Sequence, residues 1–253
     1  MNMTGNTILI TGGGSGIGKA LAEAFHQLGN SVIITGRRKD ALEAVTAANP
    51  GMHAEVLDVT NAVAVEAFAA SVTTKHPRLN VVINNAGIMV AEKIAEAPSY
   101  LEIAESTIAT NLLGPIRLTA ALLPHLKSKA SATVIGVTSG LAFIPFVLTP
   151  TYSATKAGLH SYLMTVREQL KNTSVRVIEI APPYVQTELM GPGQAVDPHA
   201  MPLAAFTNEV MSILRDEPDA DEVIVSNCKP LRNAAENGTF EATFKGLNAR
   251  FVS

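Results

Sequence analysis

Cysteine is almost missing: the 253-residue chain holds 1, Cys228. A lone cysteine closes no intrachain disulfide, and no Cys/His spacing suits zinc, so a reducing compartment fits the chain. Charge is sparse too. Asp, Glu, Lys and Arg make up 16% of the residues, with a formal net charge of −3. The basic residues are scattered, with no basic tail and no acidic run, so the electrostatic footprint of a nucleic-acid binder is lacking. Met1–Asn6 has no basic n-region, and the apolar run behind it is short and soon broken by glycines, so no signal peptide is expected there. Residues 131–155 carry no charge, which is long enough to suggest a membrane span. Pro145, Pro150, Gly136, Gly140 and several hydroxyls interrupt that stretch, so a buried strand, a loop and a helix start are expected instead. We read the chain as cytoplasmic, with neither a membrane nor a nucleic acid as partner. No internal repeat and no composition break divides it. With 47% hydrophobic residues it can bury a sizeable core as a single domain over residues 1–253.

What is present is an alternation of β-branched runs and helical periodicity. Thr7–Thr11 reads as a strand, Gly12-Gly-Gly-Ser-Gly-Ile-Gly18 as a turn, and the segment from Lys19 to Leu28 as a helix. Strand, glycine turn and helix form a dinucleotide-binding opening, in which backbone N–H groups approach a pyrophosphate at the helix N-terminus. Two other templates fail here. The P-loop spacing Gly13-x-x-x-x-Gly18-Lys19 puts Ala20 where a Ser or Thr must ligate Mg²⁺, and Ile17 and Lys19 occupy the third-glycine positions of G-x-G-x-x-G. A second strand over Ser31–Thr35 ends at Gly36-Arg37-Arg38. An acidic residue near that point would accept a ribose 2′-OH, whereas arginine accommodates a 2′-phosphate. NADP is therefore favoured over NAD.

The alternation continues. Strands are predicted at His53–Leu57, Leu79–Ile83, Thr133–Val137, Val175–Ile180 and Glu222–Ser226. Helices are predicted at Asp40–Ala48, Ala62–Lys75, Tyr100–Thr110, Ile116–Lys127, Tyr152–Leu170, Leu203–Leu214 and within Leu231–Arg250. The order implies an α/β doubly wound parallel sheet with right-handed crossovers. Gly114-Pro115 is expected to split two helices, with Asn111 capping or satisfying the bend. Asp58 reads either as a ligand contact or as an N-cap-type residue. The residues from Asn84 to Gly87 are small and allow a ligand close to the backbone. Leu141–Leu148 is too proline-interrupted for a central strand and too apolar for water, which suits a wall over a pocket. Met190–Pro202 is rich in Gly and Pro and suits a mobile lid, a substrate loop near residues 188–206.

One pair points to chemistry. Tyr152 and Lys156 stand at i,i+4 and share a helix face, where an ammonium would draw the tyrosine pKa down from about 10 toward neutrality. Ser139 lies upstream, at the end of a strand. With only 4 tyrosines in the chain, the pair alone is weak evidence; its company makes it specific.

Together these residues resemble the short-chain dehydrogenases/reductases, over essentially the first 190 residues. The resemblance rests on Thr11-Gly12-x-x-x-Gly16-x-Gly18, Asn84-Asn85-Ala86-Gly87, Asn111, Ser139 and Tyr152-x-x-x-Lys156, in the family's order and spacing. It implies a Rossmann-type, three-layer α/β/α fold and NADP(H)-dependent hydride transfer between nicotinamide and a carbonyl or secondary alcohol. Tyr152 would be the acid/base and Lys156 its pKa modifier and a donor to the nicotinamide ribose. Ser139 would orient the carbonyl, and Asn111 would hold a proton-relay water. The implied cofactor contacts are Gly12, Gly14, Ser15, Gly16, Ile17, Gly18, Arg37, Arg38, Asp58, Val59, Asn85, Ala86, Gly87, Pro182, Val185 and Thr187, with Tyr152 and Lys156. Leu141, Phe143, Tyr184 and Met190, with Ser139 and Tyr152, are read as the substrate pocket, and Met89 and Phe146 as further apolar lining. A non-catalytic NADP-binding regulator or scaffold on the same fold is the other reading.

Two departures from the family pattern stand out. Pro182-Pro183 replaces the usual Pro-Gly, stiffening the pocket lip and removing a backbone donor. Asn227-Cys-Lys-Pro and a helical tail replace the usual C-terminal strand ending, through which the family builds tetramers. A homodimer through the helices at Ile116–Lys127 and Tyr152–Leu170 is therefore expected. Val137–Phe143 and Ala181-Pro-Pro look like a bacterial subgroup sometimes labelled teichoic-acid-operon oxidoreductases.

Overall fold

Short β-branched runs separated by amphipathic segments leave the chain one economical arrangement, a parallel sheet covered on both faces. The computed structural model describes residues 1–249 and 251. It contains a 7-stranded parallel sheet in the order β3-β2-β1-β4-β5-β6-β7. The strands are β1 (Thr7–Thr11), β2 (Ser31–Gly36), β3 (His53–Val56), β4 (Leu79–Asn84), β5 (Ala132–Val137), β6 (Val175–Ala181) and β7 (Glu222–Ile224).

Alternate residues of each strand feed opposite cores. Ile8, Ile10, Ile34, Ile83, Ile135 and Ile180 pack against α1 (Gly16–Gln27), α2 (Lys39–Ala48) and α8 (Leu203–Asp216). Leu9, Ile33, Val82, Val134 and Val177 face α3 (Ala62–Lys75), α5 (Gly114–Lys127) and α6 (Pro150–Leu170). The result is three layers, and the strand order reverses direction between β1 and β4. Ligands bind at that switch point, beyond the carboxyl ends of the strands.

Most boundaries fall within a few residues of those expected, and four regions differ in kind or extent. Gly114-Pro115 does not break the chain's helical course: α4 (Leu101–Ile108) runs through a π-helical segment, Ala109–Leu113, directly into α5. Pro115 sits in the first turn of α5, directly after the π-helical segment. Met190–Pro202 is not patternless. It contains the short helix α7 (Pro192–Ala195) and is stitched back to Tyr184 and Gln186 through Met201 backbone bonds. Strand β7 stops at Ile224 rather than Ser226. The expected terminal helix is two pieces, α9 (Lys229–Arg232) and α10 (Phe240–Asn248), separated by a turn with Gly238 at φ 67; Arg250 lies outside the described residues.

Candidate active site

The glycine turn after β1 takes its shape from left-handed backbone at Gly12 (φ 69) and Gly16 (φ 52). Gly18 serves a different need. A Cβ there would lie 2.3 Å from Asn85 Nδ2 and 2.4 Å from the Gly12 carbonyl oxygen, so glycine lets α1 settle on the turn. Thr11 ties this corner to the next strand end: its hydroxyl oxygen accepts from the N–H groups of Asn85 and Ala86, each at 3.0 Å. The amides of the first turn of α1, which have no partner within the helix, open toward a cleft of about 700 Å³.

That cleft is lined at one end by Gly12, Gly14, Ser15, Gly16, Ile17, Arg37, Arg38, Asp58 and Val59. At the other end it is lined by Asn85, Ala86, Gly87, Ser139, Tyr152, Lys156, Pro182 and Val185, with Thr187 beside Gly16. The residues read from the sequence as cofactor-binding thus converge, apart from Gly18. No acidic side chain directly follows β2. Instead Arg38 Nη2 donates to Ser15 Oγ at 3.1 Å, and both arginines are exposed at the rim. Left-handed glycines, free helix amides and a guanidinium pair at one rim fit a dinucleotide bearing a 2′-phosphate.

Asp58 is not the N-cap of α3; Asn61 is, accepting from the Ala64 N–H at 3.0 Å. Burial alone would raise the Asp58 carboxyl pKa, but the Thr60 N–H and hydroxyl, with Arg37 nearby, hold it below its ordinary value. Asn111 is fully buried and lies outside the cleft lining, within the π-helical segment. Its side chain accepts from the Ile88 N–H and donates to the Ile88 carbonyl, both at 2.9 Å. It fixes the segment that follows β4 rather than capping a helix. A π-helical turn of this kind re-aims one residue without ending the helix.

Tyr152 and Lys156 rise from α6 on the same face. The Lys156 ammonium donates to the Val137 carbonyl at 2.8 Å and lies 5.5 Å from the Tyr152 ring centroid. Burial pushes the Lys156 pKa down from 10.5 to about 8, against the opposing pull of Glu179. Tyr152 departs from the sequence reading. Its pKa is not drawn toward neutrality; burial pushes it up to about 12, and the Ser139 hydroxyl only partly opposes this. A phenol enclosed at 6% exposure, with the ammonium committed to a backbone carbonyl, stays protonated. Ser139 lies two residues beyond β5 in extended conformation, with its oxygen accepting from the Leu141 N–H at 3.1 Å.

The expected substrate pocket is the part the structure redistributes. Leu141 and Phe146 line a separate apolar hollow of about 430 Å³ with Pro145, Val147, Pro150 and Phe244. Phe143 turns to His160, with ring centroids 4.9 Å apart, and to Arg232. Tyr184 is exposed with its hydroxyl on Asp197, and Met190 is exposed as well. None of these four readings, Leu141, Phe143, Tyr184 or Met190, holds as cleft lining. Ile88, Met89, Val90, Pro183, Glu188, Leu189 and Gln194 line that end instead. Gln194 is the residue that organises the loop: its amide donates to the Val185 carbonyl and Thr187 Oγ1 and accepts from the Met190 N–H. A polar residue inside a Gly/Pro-rich stretch carries no periodic signal, so sequence reading passes over it.

The family model for short chain dehydrogenases matches residues 6–195. The chain belongs to that family. Within it, the chain is 43% identical over 189 residues to the uncharacterized oxidoreductase DltE of Bacillus subtilis (strain 168), covering 75% of each chain. It is 32% identical over 179 residues to the NADP-dependent 3-hydroxy acid dehydrogenase YdfG of Shigella flexneri, covering 70% of this chain and 72% of that one. A short chain dehydrogenase from Burkholderia cenocepacia J2315, solved in complex with NADP, superposes over 100% of both chains with a TM-score of 0.81 at 26% identity. The alcohol dehydrogenase of the archaeon Thermococcus sibiricus, complexed with 5-hydroxy-NADP, superposes with a TM-score of 0.78 at 25% identity, over 87% of this chain and 95% of that one. The sheet order and the site at its switch point are therefore those of an oxidoreductase family. Among the described residues no helix is long and apolar enough to cross a membrane.

Proposed function

We propose that this dehydrogenase is an NADP(H)-dependent oxidoreductase acting between a carbonyl and a secondary alcohol. One observation carries the reading: a single cleft is lined both by Tyr152, Ser139 and Lys156 and by Gly12, Gly14, Ser15, Gly16 and Ile17 with Arg37 and Arg38. NADP(H), when bound, supplies the hydride-transfer chemistry. The chain supplies position and protons. Ser139 donates a hydrogen bond to the substrate oxygen, and Tyr152 protonates the same oxygen as it becomes an alkoxide. Lys156 provides positive charge beside the phenol, and Asn111 holds the backbone around Ile88.

The raised Tyr152 pKa sets the direction of pH dependence. At neutral pH the phenol is a proton donor, which suits reduction; oxidation needs the phenolate and gains as pH rises toward about 12. The charged side chains lining the cleft are Arg37, Arg38, Asp58, Lys156 and Glu188. The arginines and Asp58 stand at the dinucleotide end, and Lys156 is committed to Val137. Among the described residues no further cationic side chain lines the cleft, which favours a neutral carbonyl compound over an anionic one. YdfG's 3-hydroxy acid substrates make this a sharp comparison. The protein works as a single domain in the cytoplasm, in keeping with its one buried free cysteine, and as a homodimer through α5 and α6.

The test is NADPH consumption across ketones, aldehydes and diketones, including a 3-oxo acid and its ester. Turnover on neutral members, and its loss by at least about 10²-fold in Tyr152→Phe, is the expected result; wild-type turnover in that variant would refute the role of Tyr152. NADPH should bind more tightly than NADH, and Arg37→Ala should narrow the difference. Equal affinities for the two in titration would remove the NADP assignment.

A further inference from the structure

Glu179 lies on β6 with 0% exposure, a place where an ionised carboxylate is costly unless charges and hydrogen bonds answer it. Two side chains bond it. The Thr138 hydroxyl donates to Oε1 at 2.5 Å, and His160 Nδ1–H donates to Oε2 at 2.7 Å. Thr138 immediately precedes Ser139, and His160 lies one helical turn beyond Lys156 on α6.

The remaining groups around the carboxylate are Lys156 on α6, Cys228 before α9, Glu222 on β7 and Arg232 on α9. Arg232 does not neutralise Glu179. It holds Glu222 at 2.7 Å and Glu236 at 2.8 Å, with its guanidinium over the Phe143 ring. The charge of Glu179 is therefore left to His160 and Lys156. The hydrogen bond from His160 to Glu179 raises the imidazole pKa, and the Glu179 field opposes the burial that lowers Lys156. A glutamine would satisfy the same two partners without the desolvation cost of a charge, so the fold does not need a carboxylate here. The neighbouring site does.

We propose that Glu179 is a positioning residue whose buried charge, held between Thr138 and His160, keeps Lys156 an ammonium beside Tyr152. The proposal rests on the role assigned above to Lys156. His160 grades the effect: protonated, it cancels the carboxylate; neutral, it leaves that negative charge uncancelled one helical turn from Lys156. The support for the ammonium is thus strongest on the alkaline side of the His160 titration.

The test does not depend on finding a substrate. Protein labelled with ¹³C at the lysine ε-carbons is titrated by NMR, and the Lys156 signal is assigned by its loss in Lys156→Arg. In Glu179→Gln the Lys156 midpoint should fall by one pH unit or more, a tenfold fall in the ammonium-to-amine ratio at a given pH, while NADPH affinity stays within twofold. Glu179→Asp, which keeps the charge, should restore most of the shift. His160→Gln should raise the midpoint or leave it in place, and this arm stands even if Glu179→Gln does not fold. An unchanged midpoint in Glu179→Gln, or a fall in His160→Gln, overturns the proposal. On a confirmed ketone, the high-pH limb of kcat for reduction should move with the Lys156 midpoint in each variant. A shift in the NMR titration without any turnover would leave the proposed charge relation standing and count against the oxidoreductase reading instead.

Discussion

Lys156 is where function costs this protein stability. Its pKa drops from 10.5 unfolded to about 8 folded, so the folded state disfavours the ammonium by about 3 kcal/mol at neutral pH. The sign follows from the depression: the folded state regains that stability as pH rises from about 8 to 10.5 and loses it as pH falls through 8. Lys156→Met should therefore raise Tm at pH 7 by a few degrees, after about 1 kcal/mol is given back for the lost bond to the Val137 carbonyl. Scanning calorimetry at pH 7 checks this, and an unchanged or lower Tm would contradict it. Turnover should vanish in the same variant. Tyr152 acts in the opposite sense. Its folded pKa of about 12 stands above its ordinary 10, so its contribution is complete below pH 10 and is lost as pH climbs to 12. Tyr152→Phe should remove that alkaline loss of stability. Of these residue-scale facts, the pairing of Tyr152 with Lys156 is legible in the sequence from spacing alone. The direction of the Tyr152 shift is not, because burial, which no spacing encodes, outweighs the ammonium.

At the scale of elements, the helix carrying the pair is held by residues far from it in the chain. Helix α6 begins at Thr149-Pro150 without a side-chain cap of its own, and the Thr149 hydroxyl has no partner. Glu92, almost buried, takes the capping role: its carboxylate accepts from the Thr151 N–H at 3.0 Å and from the Thr151 hydroxyl at 2.6 Å. Its own N–H donates to the Leu148 carbonyl at 2.8 Å. A negative charge at this helix start also meets the positive end of the α6 dipole. Glu92→Ala should cost about 1–2 kcal/mol in urea unfolding and lower turnover more than NADPH affinity, since Tyr152 sits in the first turn. Equal unfolding midpoints for variant and wild type would rule the cap out. Asn248 performs a similar service from α10, accepting from the Val147 N–H at 2.8 Å and donating to the Pro145 carbonyl at 3.1 Å. The apolar stretch between Ser139 and Tyr152 therefore packs under the C-terminal tail and forms its own hollow instead of walling the cleft. Local propensity foresaw the strands and the helices to within a few residues. It missed these caps because a long-range hydrogen bond leaves no periodic trace, and it missed the π-helical turn because Pro115 reads as a stop.

Across the whole molecule, Ile108, Leu113 and Met164 are exposed at the α4–α5 junction and on α6, the elements through which the dimer is proposed. Light scattering should give twice the chain mass, and Met164→Glu should shift it toward the monomer; a monomeric wild type would exclude this assembly. The sequence by itself determined the alternation of strands and helices, the parallel sheet, the glycine turn and the order of Asn111, Ser139, Tyr152 and Lys156. These follow from periodicity, β-branching and glycine stereochemistry, which act over a few residues and are written where they act. Only the tertiary structure decided which side chains share one cleft, that Tyr152 is enclosed and protonated, and that Gln194 rather than Tyr184 or Met190 shapes the loop. It also decided that Glu179 and His160 lie beneath the site. Those outcomes depend on burial and on charges brought together across β5, β6 and α6, and burial exists only once the layers have closed.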